Sequence, residues 1–220
     1  MGEEHEHQPT EERVPDSGGL EAVREAARGC TGCDLYLNAT QTVFGVGGEG
    51  SRVMLVGEQP GDREDLTGEP FVGPAGRLLD AALQAAGIDR RTVYVTNAVK
   101  HFKWRRGGVG GKRRLHDKPN QMEISACRPW LNAEIARVGP ELIVCLGATA
   151  AQALLGKAFR VTRDRGNVFR SDLGHWVMAT IHPSAILRSD DRDAEMAGLI
   201  QDLKQVPVHL ERLGSAGRRD

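Results

Sequence analysis

Four cysteines, at positions 30, 33, 127 and 145, are the residues of this chain most able to bind a metal. The spacing Cys30-x-x-Cys33 brings two thiolates within reach of one metal, and Cys127 and Cys145 are available to complete a four-sulfur site. Four sulfur ligands suit zinc or an iron–sulfur cluster. The alternative is that Cys127 and Cys145 are core residues, because free cysteine behaves as a small hydrophobe. Cys145 lies within the apolar run LIVCL, which favours that alternative slightly.

Two histidines and one phenylalanine are candidates for a catalytic site. His182 follows an apolar run and precedes Pro-Ser, whereas His116 follows the basic run Lys112–Leu115. Phe71 lies in a segment rich in glycine and proline, where it can be a core residue or a stacking platform for a planar ligand. Taken singly, His116 is typical of a solvated loop, and His182 of either a catalytic or a structural role.

The charge of the chain is unevenly distributed, although its net value is only −1. Residues 1–25 carry eight acidic side chains, and residues 99–118 carry eight basic side chains against the single acid Asp117. The basic stretch is either a solvated loop or a contact for nucleic acid phosphates.

The elements that must position these residues alternate between strands and helices. Helices are predicted at 20–27, 75–86, 122–138, 148–155 and 194–213, and strands at 53–56, 92–96, 142–146 and 176–181. Apolar strands that alternate with helices predict a parallel sheet covered on both faces. Such sheets bind ligands beyond the carboxyl ends of their strands. The segments that follow the strands, 57–61, 97, 147–149 and 182–184, therefore hold the first candidates for a binding site.

The chain organisation predicts one globular domain with an acidic, disordered tail at residues 1–18. Residues 103–119 carry no helix or strand pattern and are predicted to form an inserted basic loop. No apolar run approaches the length of a membrane helix, and the acidic start MGEEHEHQ does not resemble a secretory signal. We therefore expect a cytoplasmic protein that does not bind a membrane.

Taken together, the motifs resemble the uracil-DNA glycosylase superfamily. The matching segments are GEQPG (57–61), EPFVGPAGRLLD (69–80), VTNAVK (95–100), LGATAA (146–151) and HPS (182–184). The order of the four cysteines resembles the family 4-like iron–sulfur branch. The segment KRRLH (112–116), together with GEQPG, resembles its UdgX branch. The resemblance covers about residues 20–212, within a predicted catalytic domain at 19–214.

This resemblance implies a three-layer α/β/α fold with a central four-stranded, mainly parallel sheet. It implies a 4Fe-4S cluster bound by all four cysteines, with a structural role because base excision transfers no electrons. It also implies uracil-containing DNA as the partner, and we expect a monomer.

The resemblance also assigns roles to individual residues. Phe71 would stack on a flipped uracil, and the amide of Asn97 would match uracil O4 and N3–H, whereas cytosine presents the opposite pattern. His182 would donate to O2 of the departing base. The same motifs imply that Gly57, Gly61 and Ser184 belong to the substrate-binding residues.

In the UdgX branch the enzyme becomes covalently joined to the abasic sugar. The resemblance implies that His116 captures the cation-like sugar carbon through a neutral ring nitrogen. Glu58 would accept from the other ring nitrogen, Gln59 would exclude or order water, and Arg114 would hold the loop or a phosphate. Two alternatives remain open at this point: a multi-turnover glycosylase that uses water, and a DNA-binding module with a structural zinc site and no enzymatic activity.

Overall fold

The computed structural model describes residues 9–108, 110, 113–171 and 174–216. Its strands are β1 (Val53–Gly57), β2 (Val93–Asn97), β3 (Trp104–Gly107), β4 (Arg113–His116), β5 (Leu142–Leu146), β6 (Val168–Arg170) and β7 (Trp176–Thr180). Its α-helices are α1 (Leu20–Arg28), α2 (Asp62–Thr67), α3 (Pro74–Ala85), α4 (Gln121–Val138), α5 (Ala148–Leu155), α6 (Val161–Asp164), α7 (Pro183–Arg188), α8 (Arg192–Leu203) and α9 (Gln205–Ala216). Short 3-10 turns occupy Thr10–Arg13, Asp34–Leu37 and Arg90–Thr92.

The central sheet has the strand order β2-β1-β5-β7-β6. The first four strands are parallel, and β6 pairs antiparallel with β7 at the edge. Strands β1, β2 and β5 are buried along their whole length, as expected for parallel strands covered on both faces. The predicted α/β fold is therefore confirmed, but the predicted count of four strands is one too low. The missed strand, β6, has only three residues, too few for a pattern to emerge.

Two hydrophobic cores lie on opposite faces of the sheet, because successive strand residues point to opposite sides. One core joins Val56 and Cys145 to Trp130 of α4 and to residues of α1 and α5. The other joins Leu55 and Val144 to residues of α3 and α8. The predicted layers of helix, sheet and helix follow from this arrangement.

Helix α4 begins at Gln121 because Asn120 caps it. The Asn120 side chain accepts from the backbone N–H of Glu123, and the Glu123 carboxylate accepts from the backbone N–H of Asn120, which is a reciprocal capping box. Pro129 lies inside the helix. The predicted helix at 194–213 is two helices, α8 and α9, separated at Lys204.

The segment predicted as a basic loop at 103–119 contains an antiparallel hairpin of β3 and β4. Trp104 pairs with His116 at the base, and Gly107 pairs with Arg113 at the last paired position. Arg114 fastens this hairpin to α2 through Asp62 (2.6 Å) and Asp65 (2.6 Å). The prediction that the whole segment is a loop was wrong, because contacts distant in sequence stabilise strands whose own residues are mostly polar.

The N-terminal segment is also more ordered than predicted, as far as it is described. Residues 1–8 lie outside the described residues, but Thr10–Arg13 forms a 3-10 turn with Thr10 buried. Arg13 donates to the carbonyl of Gly29 (2.6 Å) and to the hydroxyl of Thr31 (2.7 Å). Arg137 of α4 donates to the carbonyl of Pro15 (3.1 Å). The prediction of disorder was therefore wrong for residues 9–18.

A bilayer-spanning segment would need a longer and more apolar helix than any in the described ranges.

Candidate active site

A cavity of about 590 Å³ opens where β1, β2, β5 and β7 end, at the carboxyl edge of the sheet. Among the residues that line it are Glu58, Gln59, Gly61, Phe71, Asn97, His116, His182 and Ser184, together with Thr149 and Arg188. The rule that ligands bind at this edge therefore placed most of the predicted site residues in one cavity.

Asn97, the last residue of β2, supplies a buried acceptor with no partner. Its side chain is 2% exposed, and its Oδ1 accepts no hydrogen bond from the described residues. Gly57 leaves room for this side chain, because a Cβ at Gly57 would overlap Asn97 Oδ1 and approach the Phe71 ring to 2.6 Å. A buried oxygen without a donor is costly, so Asn97 is poised to receive a donor from a ligand.

Phe71 is held beside the cavity in a strained backbone conformation. Its φ is +60°, a left-handed value that is unfavourable for an aromatic residue, and its ring lies 5.9 Å from the ring of His182. Glu64 holds the two loops around it together by accepting from the backbone N–H groups of Gly61 (3.1 Å) and Gly73 (2.8 Å). The Gly61 N–H is therefore already occupied by Glu64. Strain of this kind persists where the surroundings fix it, as at ligand-binding sites.

His182 presents one defined donor. Its Nδ1 accepts from the backbone N–H of Ser184 (3.1 Å), and the Ser184 hydroxyl is 2.8 Å from the same nitrogen. This bond assigns the proton of the neutral ring to Nε2. Burial, helped by the nearby His116 and Arg188, lowers the pKa of His182 to about 4, so the ring is neutral at pH 7.

His116 reaches the cavity from the end of β4, with its side chain 49% exposed. Its Nε2 lies 2.9 Å from the amide nitrogen of Gln59 and 3.8 Å from Oε1 of Glu58. The resemblance implied that Glu58 binds the other ring nitrogen, but Glu58 and Gln59 both face Nε2. The other Glu58 oxygen accepts from the hydroxyl of Thr149. Burial lowers the pKa of His116 and Glu58 opposes that shift, which leaves the ring neutral at pH 7.

Gln59 is fixed by the base of the hairpin. Its Oε1 accepts from the backbone N–H of Lys103 (3.2 Å), and its amide nitrogen donates to the carbonyls of Lys103 (3.2 Å) and Asp117 (2.9 Å). Gln59 therefore joins the loop after β1 to the strands that carry His116.

Comparison with known proteins places this arrangement in a family. A model described as "Uracil DNA glycosylase superfamily" matches residues 44–204, which include every cavity residue named above. The chain belongs to the uracil DNA glycosylase superfamily. It is 36% identical over 196 residues to the type-4 uracil-DNA glycosylase of Thermotoga maritima, covering 89% of this chain and 96% of that protein. It is 35% identical over 177 residues to the type-4 uracil-DNA glycosylase of Archaeoglobus fulgidus, covering 76% of this chain and 83% of that protein.

Arg114 holds the hairpin in this superfamily member. It does not line the cavity, and its guanidinium is paired with Asp62 and Asp65 and lies against the rings of Phe102 and Trp104. Of the two predicted roles, holding the loop or holding a phosphate, the structure provides the first.

Three of the four cysteines gather near the start of α4. The thiols of Cys33 and Cys127 are hydrogen-bonded to each other, which lowers the pKa of Cys33 to about 7 and raises that of Cys127. The indole N–H of Trp130, one turn after Cys127, donates to Cys30 Sγ (3.1 Å). Cys145 does not join this group: it is fully buried in β5, its pKa is raised by burial alone, and Val56 and Ala179 flank it in the sheet.

His101 is linked to this group through Thr42 and through the neighbouring Lys100, and no role was predicted for it from the sequence. It is 4% exposed, its Nε2 is 2.9 Å from the Thr42 hydroxyl, and its Nδ1 has no partner among the described residues. Thr42 also donates to the carbonyl of Ala27, the carbonyl that accepts from the Cys30 N–H. On its other side, the backbone N–H of the preceding Lys100 bonds Cys127. The position of His101 directly after VTNAVK was the available signal.

Within the described residues, no three His, Cys, Asp or Glu side chains form a ready site for a metal ion. The surroundings of the three sulfurs, with the indole N–H donor to Cys30 and the apolar residues Leu35 and Val99, are of the kind that tunes iron–sulfur clusters.

Proposed function

We propose that this protein excises uracil from DNA and then joins itself covalently to the abasic sugar through His116, as the UdgX branch does. The observation that carries this proposal is the position of His116. Its Nε2 is neutral, faces the cavity and is oriented by Gln59 at 2.9 Å, with Glu58 at 3.8 Å. The type-4 uracil-DNA glycosylases similar to this chain support the excision step.

Uracil recognition rests on Asn97 and Phe71. The target nucleotide must leave the duplex before its sugar can be reached. The unpaired Oδ1 of Asn97 accepts from uracil N3–H, and its amide donates to O4. Cytosine has no hydrogen at N3 and carries a donor in place of O4, so it mismatches both groups. The Phe71 ring stacks on the base.

Base departure rests on His182. Its Nε2–H donates to uracil O2, where negative charge develops as the bond from the sugar C1′ to the base N1 breaks. The bonding electron pair leaves with the base, and the resulting negative charge on uracil O2 is stabilised by the hydrogen bond from His182.

His116 then captures the sugar, and the positive charge moves from the sugar to the imidazole ring. The lone pair of His116 Nε2 forms a bond to C1′, and the imidazole becomes a cation that keeps its proton on Nδ1. Glu58, held by Thr149, lies close enough to stabilise that positive charge. The Gln59 amide leaves Nε2 as the sugar approaches, and it keeps its contacts to Lys103 and Asp117.

We further propose that Cys30, Cys33, Cys127 and His101 hold a 4Fe-4S cluster. When bound, the cluster supplies a structural link between the segment after α1, the segment after β2 and α4, and it transfers no electrons in this reaction. The unpaired Nδ1 of His101 supports it as the fourth ligand, and the burial of Cys145 within the sheet argues against the original assignment of that residue.

A denaturing gel tests the proposed capture. Wild-type protein mixed with uracil-containing DNA is expected to form a complex that survives heat and detergent, with one uracil consumed per protein. His116→Ser should lose this complex while still releasing uracil, because water can enter the vacated space. His175→Ser, a histidine that does not line the cavity, is the matched control and should cross-link fully.

Many turnovers by the wild-type protein with no stable complex would support the conventional glycosylase, in which water is the nucleophile. Cross-linking by His116→Ser would place the nucleophile on another residue.

A further inference from the structure

A second cavity, of about 400 Å³, lies between α4 and α5 beside the first. Lys118 and Thr149 line both cavities, so the two adjoin at the carboxyl edge of the sheet. Apart from Thr149, whose hydroxyl holds Glu58, no residue of the second cavity takes part in the proposed excision and capture steps.

The rim of the second cavity is positively charged. Lys118, Arg128 and Lys157 line it and are exposed, and no Asp or Glu is among its described lining residues. In the described part of the chain, no carboxylate forms an ion pair with any of these three cations. Three unpaired cations on a protein of net charge −1 make this rim a local site for anions.

The floor of the cavity differs from its rim. Ile124, Leu131 and Leu154 supply an apolar surface, and the side chains of Gln121 and Gln152 lie around it. An apolar floor under cations and amides suits a ligand with a flat base and an attached phosphate. The volume is within the range of about 300–1,000 Å³ that small-molecule sites span.

We propose that this cavity binds the nucleotide next to the uridine in the same DNA strand. This inference rests on the proposed function, because it requires the uridine in the first cavity. A strand that leaves the first cavity passes Lys118, and its next phosphate meets Arg128 and Lys157 while its base lies on the apolar floor. The cavity therefore acts as a subsite for a neighbouring nucleotide of single-stranded DNA.

Binding of uracil-free single-stranded oligonucleotides tests the subsite without depending on catalysis. Affinity is measured at several salt concentrations for the wild type, Arg128→Gln, Lys157→Gln and the double variant. Each cation that contacts a phosphate should reduce the log–log salt slope by about 0.7. Lys204→Gln removes an exposed cation that lines neither cavity and should leave the slope unchanged. Equal slopes for the wild type and the double variant would overturn the proposal.

A further variant tests the apolar floor without changing the charge of the protein. Ala153→Trp, in α5, should fill the cavity and weaken binding of an oligonucleotide more than binding of inorganic phosphate. Uracil release from a single nucleotide should be unchanged by these variants, whereas release from an oligonucleotide should slow.

The two proposals fail in distinguishable ways. If these variants slow uracil release equally from the single nucleotide and from the oligonucleotide, the subsite is overturned and the effect lies in the first cavity. Displacement of oligonucleotide by inorganic phosphate as readily as by a dinucleotide would indicate a site for free phosphate and would also overturn it. Absence of uracil release by the wild type would refute the proposed function, and oligonucleotide binding without a change of slope would refute the subsite.

Discussion

Two buried polar side chains, one facing the cavity and one in the core directly behind it, differ in whether they have hydrogen-bond partners. Asn97 and Lys100 are three residues apart and are 2% and 0% exposed. In the cavity, Asn97 Oδ1 has no partner among the described residues, whereas in the core Lys100 Nζ donates to Thr96 (2.7 Å), to the carbonyl of Asn97 (2.6 Å) and to Glu134 (2.5 Å). Lys100, in the core, is fully paired, whereas the Oδ1 of Asn97, which faces the cavity, is left open for a ligand.

Glu134 is the centre of the paired region, the group of hydrogen-bonded side chains around Lys100 in the core. Its Oε1 accepts from the backbone N–H of Gly45 (3.0 Å) and from the hydroxyls of Tyr94 (2.9 Å) and Thr96 (2.9 Å). Burial and the adjacent Glu134 charge raise the pKa of Tyr94, so its hydroxyl remains a donor. Because the network ends on the carbonyl of Asn97, it also fixes the backbone that presents the open amide.

Removing the cation of the paired region should have the largest effect. Lys100→Met leaves the Glu134 carboxylate buried without its charge partner, which should lower the free energy of unfolding by about 3–5 kcal/mol. Urea denaturation measures this loss, and Lys204→Met, at an exposed position, is the control. A loss below about 1 kcal/mol would mean that the paired region does not depend on its ion pair.

Another unpaired buried atom, His101 Nδ1, gives the next comparison. If it is a cluster ligand, His101→Ala should lower iron content from about four atoms per chain, whereas Cys145→Ala should retain the full amount. His101→Cys should keep the iron and change its electron paramagnetic resonance spectrum, because sulfur replaces nitrogen. Iron is measured after anaerobic purification. Loss of iron in Cys145→Ala with full iron in His101→Ala would restore the four-cysteine assignment.

A change at the unpaired amide itself should have a smaller effect. In Asn97→Asp the donor to uracil O4 becomes an acceptor, a mismatch that costs about 1–3 kcal/mol and lowers kcat/KM by about 5- to 150-fold. The preference for uracil over cytosine should narrow at the same time. Competition between uracil- and cytosine-containing oligonucleotides gives both values, and an unchanged preference would remove Asn97 from base recognition.

Long apolar runs made the centre of the fold predictable. The strand at 142–146 and the helix at 148–155 have the predicted bounds, because their patterns are continuous and their ends carry glycine. Parallel sheets bind ligands beyond the carboxyl ends of their strands. The predicted strand ends therefore indicated one shared site for Asn97 and His182 before any contact was known.

Features that depend on distant contacts were not predictable. The hairpin of β3 and β4 consists mainly of polar residues and glycine, and its order depends on Arg114, whose partners lie about 50 residues earlier in the chain. Cys145 has the residue type of a ligand but lies within a strand of the sheet, which spacing alone does not reveal. His101 has no motif of its own beyond its position directly after VTNAVK, and its unpaired nitrogen is visible only in the structure.

The buried carboxylate of Asp65, in α2, links the segment at Thr40 to the hairpin that carries the proposed nucleophile. It accepts from the backbone N–H of Thr40 (2.9 Å), from the Thr40 hydroxyl (2.6 Å) and from Arg114 (2.6 Å). The hairpin therefore cannot separate from α2 without leaving a fully buried charge unpaired. In native-state hydrogen exchange, the amides of the hairpin and of α2 should open as one cooperative unit, with an opening free energy above that of an ordinary surface hairpin.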